Sequence, residues 1–147
     1  MTFSNLINNQ HIIIPFTIWA IIQVWKFLYN LFKNKKVDLK RLMGAGGMPS
    51  SHSAVVTSLT TTIAVEYGFD SPLFAISMIL SLIVMYDAAG VRRAAGKQAR
   101  ILNQMINSKN MPNEVRQEKL IELLGHTPFE VFIGALVGIV YALLVIK

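Results

Sequence analysis

Apolar residues in this chain gather in long runs separated by short polar stretches, rather than recurring at the spacing of one amphipathic face. The first run, HIIIPFTIWAIIQVWKFLYNLF, exceeds the roughly 20 residues needed to cross about 30 Å of hydrocarbon as a helix and predicts a span over 11–32. A second span is predicted over 52–67. It is shorter and carries Ser53, Thr57, Ser58, Thr60, Thr61 and Thr62, a hydroxyl density that suits a helix buried among other helices. The tight turn EYGFDSP leads into a third span over 72–91, and a last apolar run predicts a fourth over 129–146. Residues 92–125 between them are polar and are expected to be helical at both ends, with a break at Asn110-Met111-Pro112-Asn113. The expected fold is therefore all-α. It is one integral membrane domain over 1–147, a polytopic helical bundle with about four transmembrane helices and a cytoplasmic helical loop. The first run has neither the preceding positive charge nor the small-residue cleavage site of a signal peptide.

Composition sharpens this picture in two ways. The chain is 53% hydrophobic and has no cysteine, which excludes disulfides, thiolate catalysis and Cys-based zinc sites. Its net charge of +6 would suggest nucleic acid as a partner of a soluble protein, but the distribution points elsewhere. Five of the fourteen lysines and arginines lie in 33–49 and seven in 92–125, with none in the first ten residues or in 66–72. The positive-inside tendency then predicts a multi-pass protein of the cell membrane with both loops in the cytoplasm and both termini outside. Attraction of such loops to anionic headgroups, at about 1 kcal/mol per near-surface charge, makes membrane lipids the expected partners and leaves no need for nucleic acid. Trp19, Trp25 and Tyr29 read as interface aromatics, and Lys26 as a side chain that snorkels or faces a partner, without a catalytic part.

The candidate chemistry begins at Gly46-Gly47-Met48-Pro49-Ser50-Ser51-His52-Ser53-Ala54. Glycines allow close approach of a ligand to the backbone. Pro49 and the serines then open a helix whose unpaired N–H groups and positive dipole end suit a phosphate, and His52 in its first turn can carry a proton near neutral pH. The predicted topology brings two further clusters to the same membrane face, Asp87 to Lys97 at the end of the third span and Gly125-His126-Thr127-Pro128-Phe129-Glu130 at the start of the fourth. Ionisable groups at a membrane's edge mark functional sites by default. Two histidines, carboxylates and cations could serve hydrolytic phosphoryl transfer: one histidine attacks phosphorus, a carboxylate orients it, the second histidine protonates the leaving oxygen, and cations hold the remaining oxygens.

The P-S-S-H-S segment resembles the P-S-G-H motif of the type 2 phosphatidic acid phosphatase and vanadium-dependent haloperoxidase superfamily, and His126-x-x-x-Glu130 resembles the H-x-x-x-D that closes its third motif. GMPSSHSA, DAAGVRRAAGKQA and GHTPFEV together resemble the small divergent branch of that superfamily, over roughly residues 38–140. The resemblance implies hydrolysis of a phosphate ester through a phosphohistidine, without metal or other cofactor. His126 would be the nucleophile, Glu130 its orienting acid and His52 the general acid, with Ser50 and Ser51 in the phosphate cradle. The chain departs from the superfamily in lacking the upstream K-x6-R-P, and Lys119-Leu120 stands where an S-R pair is usual. Arg92, Arg93, Lys97 and Lys40 are the candidate replacements. Four spans in place of the usual six make a homo-oligomer a candidate assembly.

Plainer readings stand beside these. Thr127, Pro128 and Glu130 form a capping-box sequence, and Asp87 is better suited to neutralising Arg92, Arg93 or Lys97 than to catalysis. No H-E-x-x-H or similar ligand pair supports a metal site. The expected function is a membrane phosphatase acting on a lipid phosphate or diphosphate at the cytoplasmic face. The alternatives are a noncatalytic protein that binds or translocates phosphorylated lipids, and a structural subunit of a larger complex.

Overall fold

Hydroxyl-bearing side chains organise the bundle. The computed structural model describes residues 8–34, 47–106, 120 and 125–146, and these form five helices: α1 Gln10–Asn34, α2 Ser51–Tyr67, α3 Pro72–Ala89, α4 Val91–Ile106 and α5 Pro128–Val145. The threonine-rich helix α2 packs against α1, α3 and α5 at once. Its buried side chains include Ser53, Thr57, Ser58, Thr60 and Thr62, and each hydroxyl finds an acceptor. Some of these bonds cross between helices. Thr57 donates to Ala135 O of α5 at 3.1 Å, while Thr60 donates to Ser77 O of α3 at 3.1 Å and meets Ser81 Oγ at 2.8 Å. In a membrane each interhelical side-chain bond of this kind contributes about 0.6 kcal/mol on average, so the set fixes register more than it supplies stability.

Three stretches among the described residues are long and apolar enough to cross a membrane: Gln10–Lys33, Pro72–Ile106 and Pro128–Val145. Helix α2, with 17 residues and its many hydroxyls, is not among them. Three apolar helices thus pack around one short polar-cored helix. Phe16, Trp25 and Phe32 on α1, Ile76, Ile83 and Tyr86 on α3, and Leu143 and Leu144 on α5 point outward, where hydrocarbon rather than water would receive them.

The α2–α5 contact is set by two glycines. A Cβ at Gly134 would run into the backbone oxygen of Ser50, and one at Gly138 into the backbone oxygen of Ala54 and the Thr57 hydroxyl. This Gly-x-x-x-Gly face lets the two helices approach closely. Both start at one end of the bundle, where Ser50 N–H donates to Glu130 O at 3.1 Å. Helices α1 and α3 run the other way, since His11 at the start of α1 lies beside Thr62 near the end of α2, and Ala88 at the end of α3 accepts from His126 N–H.

The polar loop begins as predicted with a helix, α4, after α3 stops at Gly90. Gly96, Ala99 and Asn103 form its buried stripe, and the Asn103 amide clasps both backbone groups of Leu120 at 2.9 and 3.0 Å. The expected break at 110–113 and most of the second half of the loop lie outside the described residues.

Candidate functional site

The parallel starts of α2 and α5 bring His52 and His126 together. Ser50 caps α2, its Oγ accepting from Ser53 N–H, which sets His52 in the first turn. Thr127 caps α5 and Pro128 opens it, leaving His126 just before the cap. Three contacts hold His126 there. Its N–H donates to Ala88 O at 2.9 Å. Gly125 before it adopts φ +88° and lies so close to the backbone of Arg92 and Arg93 that a Cβ would collide with it. The capping box behind it is complete, with Glu130 N–H donating to Thr127 Oγ1 and Thr127 N–H to Glu130 Oε2 at 2.8 Å.

The two imidazoles face each other edge to face, with centroids 6.4 Å apart. His126 is 3% exposed, whereas His52 is open to the surface. Glu130 Oε2 lies 3.4 Å from His126 Nδ1, an ion-pair contact outside hydrogen-bond alignment, and His126 Nε2 has no hydrogen-bond partner. Burial, reinforced by the nearby Lys26 ammonium and opposed by Glu130, pushes His126 below the ordinary histidine pKa. The neutral ring with a free Nε2 has the form a nitrogen nucleophile requires.

The comparisons with known proteins bear on this geometry. A family described as the Divergent PAP2 family matches residues 7–141. The chain belongs to that family. It is also 46% identical over 132 residues to the "Uncharacterized membrane protein YuiD" of Bacillus subtilis (strain 168), a match covering 82% of this chain and 84% of that one. No solved structure matches.

For a Divergent PAP2 chain lacking the upstream K-x6-R-P, the placement of the polar residues decides what could hold an anion. Ser50 and Ser51 do lie at the helix start, but both are buried and the Ser50 hydroxyl is engaged with Ser53, which donates its own hydroxyl at 2.9 Å. What that helix end can offer an anion is chiefly backbone N–H and dipole. Arg92 Nε pairs with Asp87 Oδ2 at the surface, as the plainer reading of Asp87 expected. Both lie within electrostatic reach of His52. Arg93 is half-buried and Lys97 is exposed. Lys40 lies outside the described residues. Among the described residues no group of three or more His, Asp or Glu side chains clusters as metal ligands would.

One residue expected to have no catalytic part is brought to the site. Lys26 does not snorkel: it is 9% exposed, its Nζ has no hydrogen-bond partner, and it lies within electrostatic reach of Glu130, His52 and His126. The signal was present as a stripe. Ile14, Ile18, Ile22, Lys26 and Asn30 recur at i+4 and are all buried, so the face that is apolar along most of α1 turns polar at the site.

An apolar groove of about 510 Å³ begins at His52 and runs away from the site between α1 and α2, past Trp19, Phe16 and Pro15 on one side and Val55 and Leu59 on the other.

Proposed function

We propose that this protein is a membrane phosphatase that hydrolyses a lipid phosphate or diphosphate through a phosphohistidine. The observation that carries the reading is the buried, unpartnered Nε2 of His126 facing His52 at the junction of two helix N-termini. In the first step His126 Nε2 attacks phosphorus, an N–P bond forms, and the ester P–O bond breaks. The leaving oxygen takes its proton from His52, and Glu130 stabilises the ring through Nδ1. In the second step water attacks the phosphohistidine, the N–P bond breaks, His52 takes the water's proton, and inorganic phosphate departs. A phosphate held between the rings also favours the protonated His52 that the first step needs.

The groove leading from His52 supports an ester whose leaving group is a hydrocarbon chain, since a soluble phosphate would have no use for it. We propose further that the site faces the cytoplasm of a multi-pass cell-membrane protein with both termini outside, because twelve of the fourteen basic residues fall in the two loops at that end. The test is phosphate release from a panel of lipid phosphates and diphosphates, by purified protein in EDTA. Release that survives chelation and is poor with short-chain esters supports the reading. No release from any member favours the noncatalytic binder of phosphorylated lipids.

A further inference from the structure

We infer that Lys26 is the phosphate-binding cation of this site, supplied from α1 rather than from the basic loops. The inference rests on the proposed binding of a phosphoryl group between the histidines. Taking an ammonium out of water costs several kcal/mol, so a buried lysine is ordinarily paired. Lys26 is more than nine-tenths buried and its Nζ makes no hydrogen bond. The carboxylate within its electrostatic reach, Glu130, is already engaged by Thr127 N–H and by the edge of His126. The other groups converging there are two imidazoles and the positive ends of α2 and α5. A buried ammonium that makes no hydrogen bond, beside two helix N-termini, is favoured when an anion enters.

The competing cations are placed differently. Arg92 is half exposed and paired with Asp87, and Lys97 is exposed. Neither is desolvated, and a donor to a transition-state oxyanion gains most where water is excluded. A neutral ligand's carbonyl oxygen would bring no charge to the Lys26 ammonium or to the two helix N-termini, so the chemistry fits a phosphate carrying one or two negative charges.

The test compares Lys26→Met and Lys26→Arg with the wild type in two assays. One is the thermal midpoint with and without inorganic phosphate, which needs no turnover. The other is phosphate release from a lipid phosphate. Phosphate should raise the wild-type midpoint, because a ligand that binds only the folded state stabilises it. The rise should vanish in Lys26→Met and persist in part in Lys26→Arg. Without phosphate, Lys26→Met should melt no lower than the wild type, since it replaces an uncompensated buried charge by an apolar chain of similar length. A structural ion pair would give the opposite sign. Turnover should fall about 100- to 1000-fold in Lys26→Met. Equal phosphate-induced shifts in wild type and Lys26→Met would overturn the inference, as would a phosphate-free Lys26→Met that melts lower and turns over normally. If the wild type releases phosphate and Lys26→Met releases it equally well, Lys26 falls and the phosphatase reading stands. If phosphate stabilises through Lys26 but no ester is hydrolysed, the anion site stands and the phosphatase reading falls.

Discussion

Each end of this bundle carries a histidine beside a glutamate, and the two pairs are built to different ends. At the far end, His11 of α1 meets Thr62 Oγ1 through Nδ1 at 3.1 Å, lies 2.9 Å from Glu66 Oε2 through Nε2, and leans on the Tyr67 ring at 5.6 Å. Glu66 is half exposed, and the group ties the start of α1 to the end of α2. At the near end, His126 is buried, its Nε2 and the neighbouring Lys26 Nζ have no partner, and a second histidine faces it. A buried polar group left without a partner costs about 1 to 3 kcal/mol. His11 Nε2 also makes no aligned hydrogen bond, but the Glu66 carboxylate lies 2.9 Å from it, whereas at the near end His126 Nε2 and Lys26 Nζ both go without a hydrogen bond; that difference separates a site from a clamp.

Matched substitutions break or sharpen the contrast. His126→Ala should abolish both turnover and any trapped phosphoenzyme, whatever the leaving group, because the covalent route is gone. The paired change Glu130→Gln and Glu66→Gln removes one carboxylate charge at each end. Glu130→Gln keeps an acceptor for Thr127 N–H, so the cap survives, but the ring loses its charged neighbour, and turnover should fall by about 100-fold. Glu66→Gln touches a half-exposed carboxylate far from the two facing histidines and should leave turnover unchanged. Similar losses from the two glutamine variants, measured on protein of checked helicity, would show that both ends act only through folding.

A more selective effect is expected at His52, one that depends on the leaving group. If it only protonates the departing oxygen, His52→Ala should cost about 100- to 10,000-fold for an alkyl phosphate and far less for an aryl phosphate, whose leaving group needs little protonation. Equal losses with both esters would reassign its part.

How much of this was legible in the sequence depends on which physical signal each residue carried. The long apolar runs gave α1, α3 and α5 within a few residues, since a membrane span is a signal of length and composition. The cap sequences gave the starts of α2 and α5, because Ser50 and Thr127 cap by local chemistry that needs no distant partner. Convergence of His52 and His126 followed from topology alone. Lys26 was not legible, because α1 is apolar nearly all round and nothing local tells which face turns inward; the stripe at 14, 18, 22, 26 and 30 acquires meaning only once α2 lies against it. The hydroxyl-rich run at 53–62 is buried among helices, as its composition indicates, because α1, α3 and α5 all pack against α2. The Gly134–Gly138 face that sets the α2–α5 distance likewise needed its partner atoms, Ser50 and Ala54, to be recognised.

The smallest effect expected is on pH dependence, and it distinguishes the buried ring from an ordinary one. An unperturbed histidine titrates near about 6.5, and burial with Lys26 nearby lowers His126 below that. The folded protein therefore favours the neutral ring more than the unfolded chain does. Stability from this source is fully present above about pH 6.5 and is lost as pH falls through the depressed folded value, because between the two values the unfolded chain binds more protons. Turnover should follow the same direction, since protonated Nε2 has no lone pair, giving an acid limb that lies below about 6.5 and falls no more than about tenfold per pH unit. A phosphomonoester itself gains a proton near about pH 6, so the rate profile alone mixes enzyme with substrate. The thermal midpoint in the absence of any phosphate carries no such ambiguity. Its decline between about pH 7 and 5 should be shallower in His126→Gln than in the wild type, by the share that this one ring contributes. An identical decline in both proteins would mean that His126 titrates as it would in water, and the buried neutral nucleophile would be lost with it.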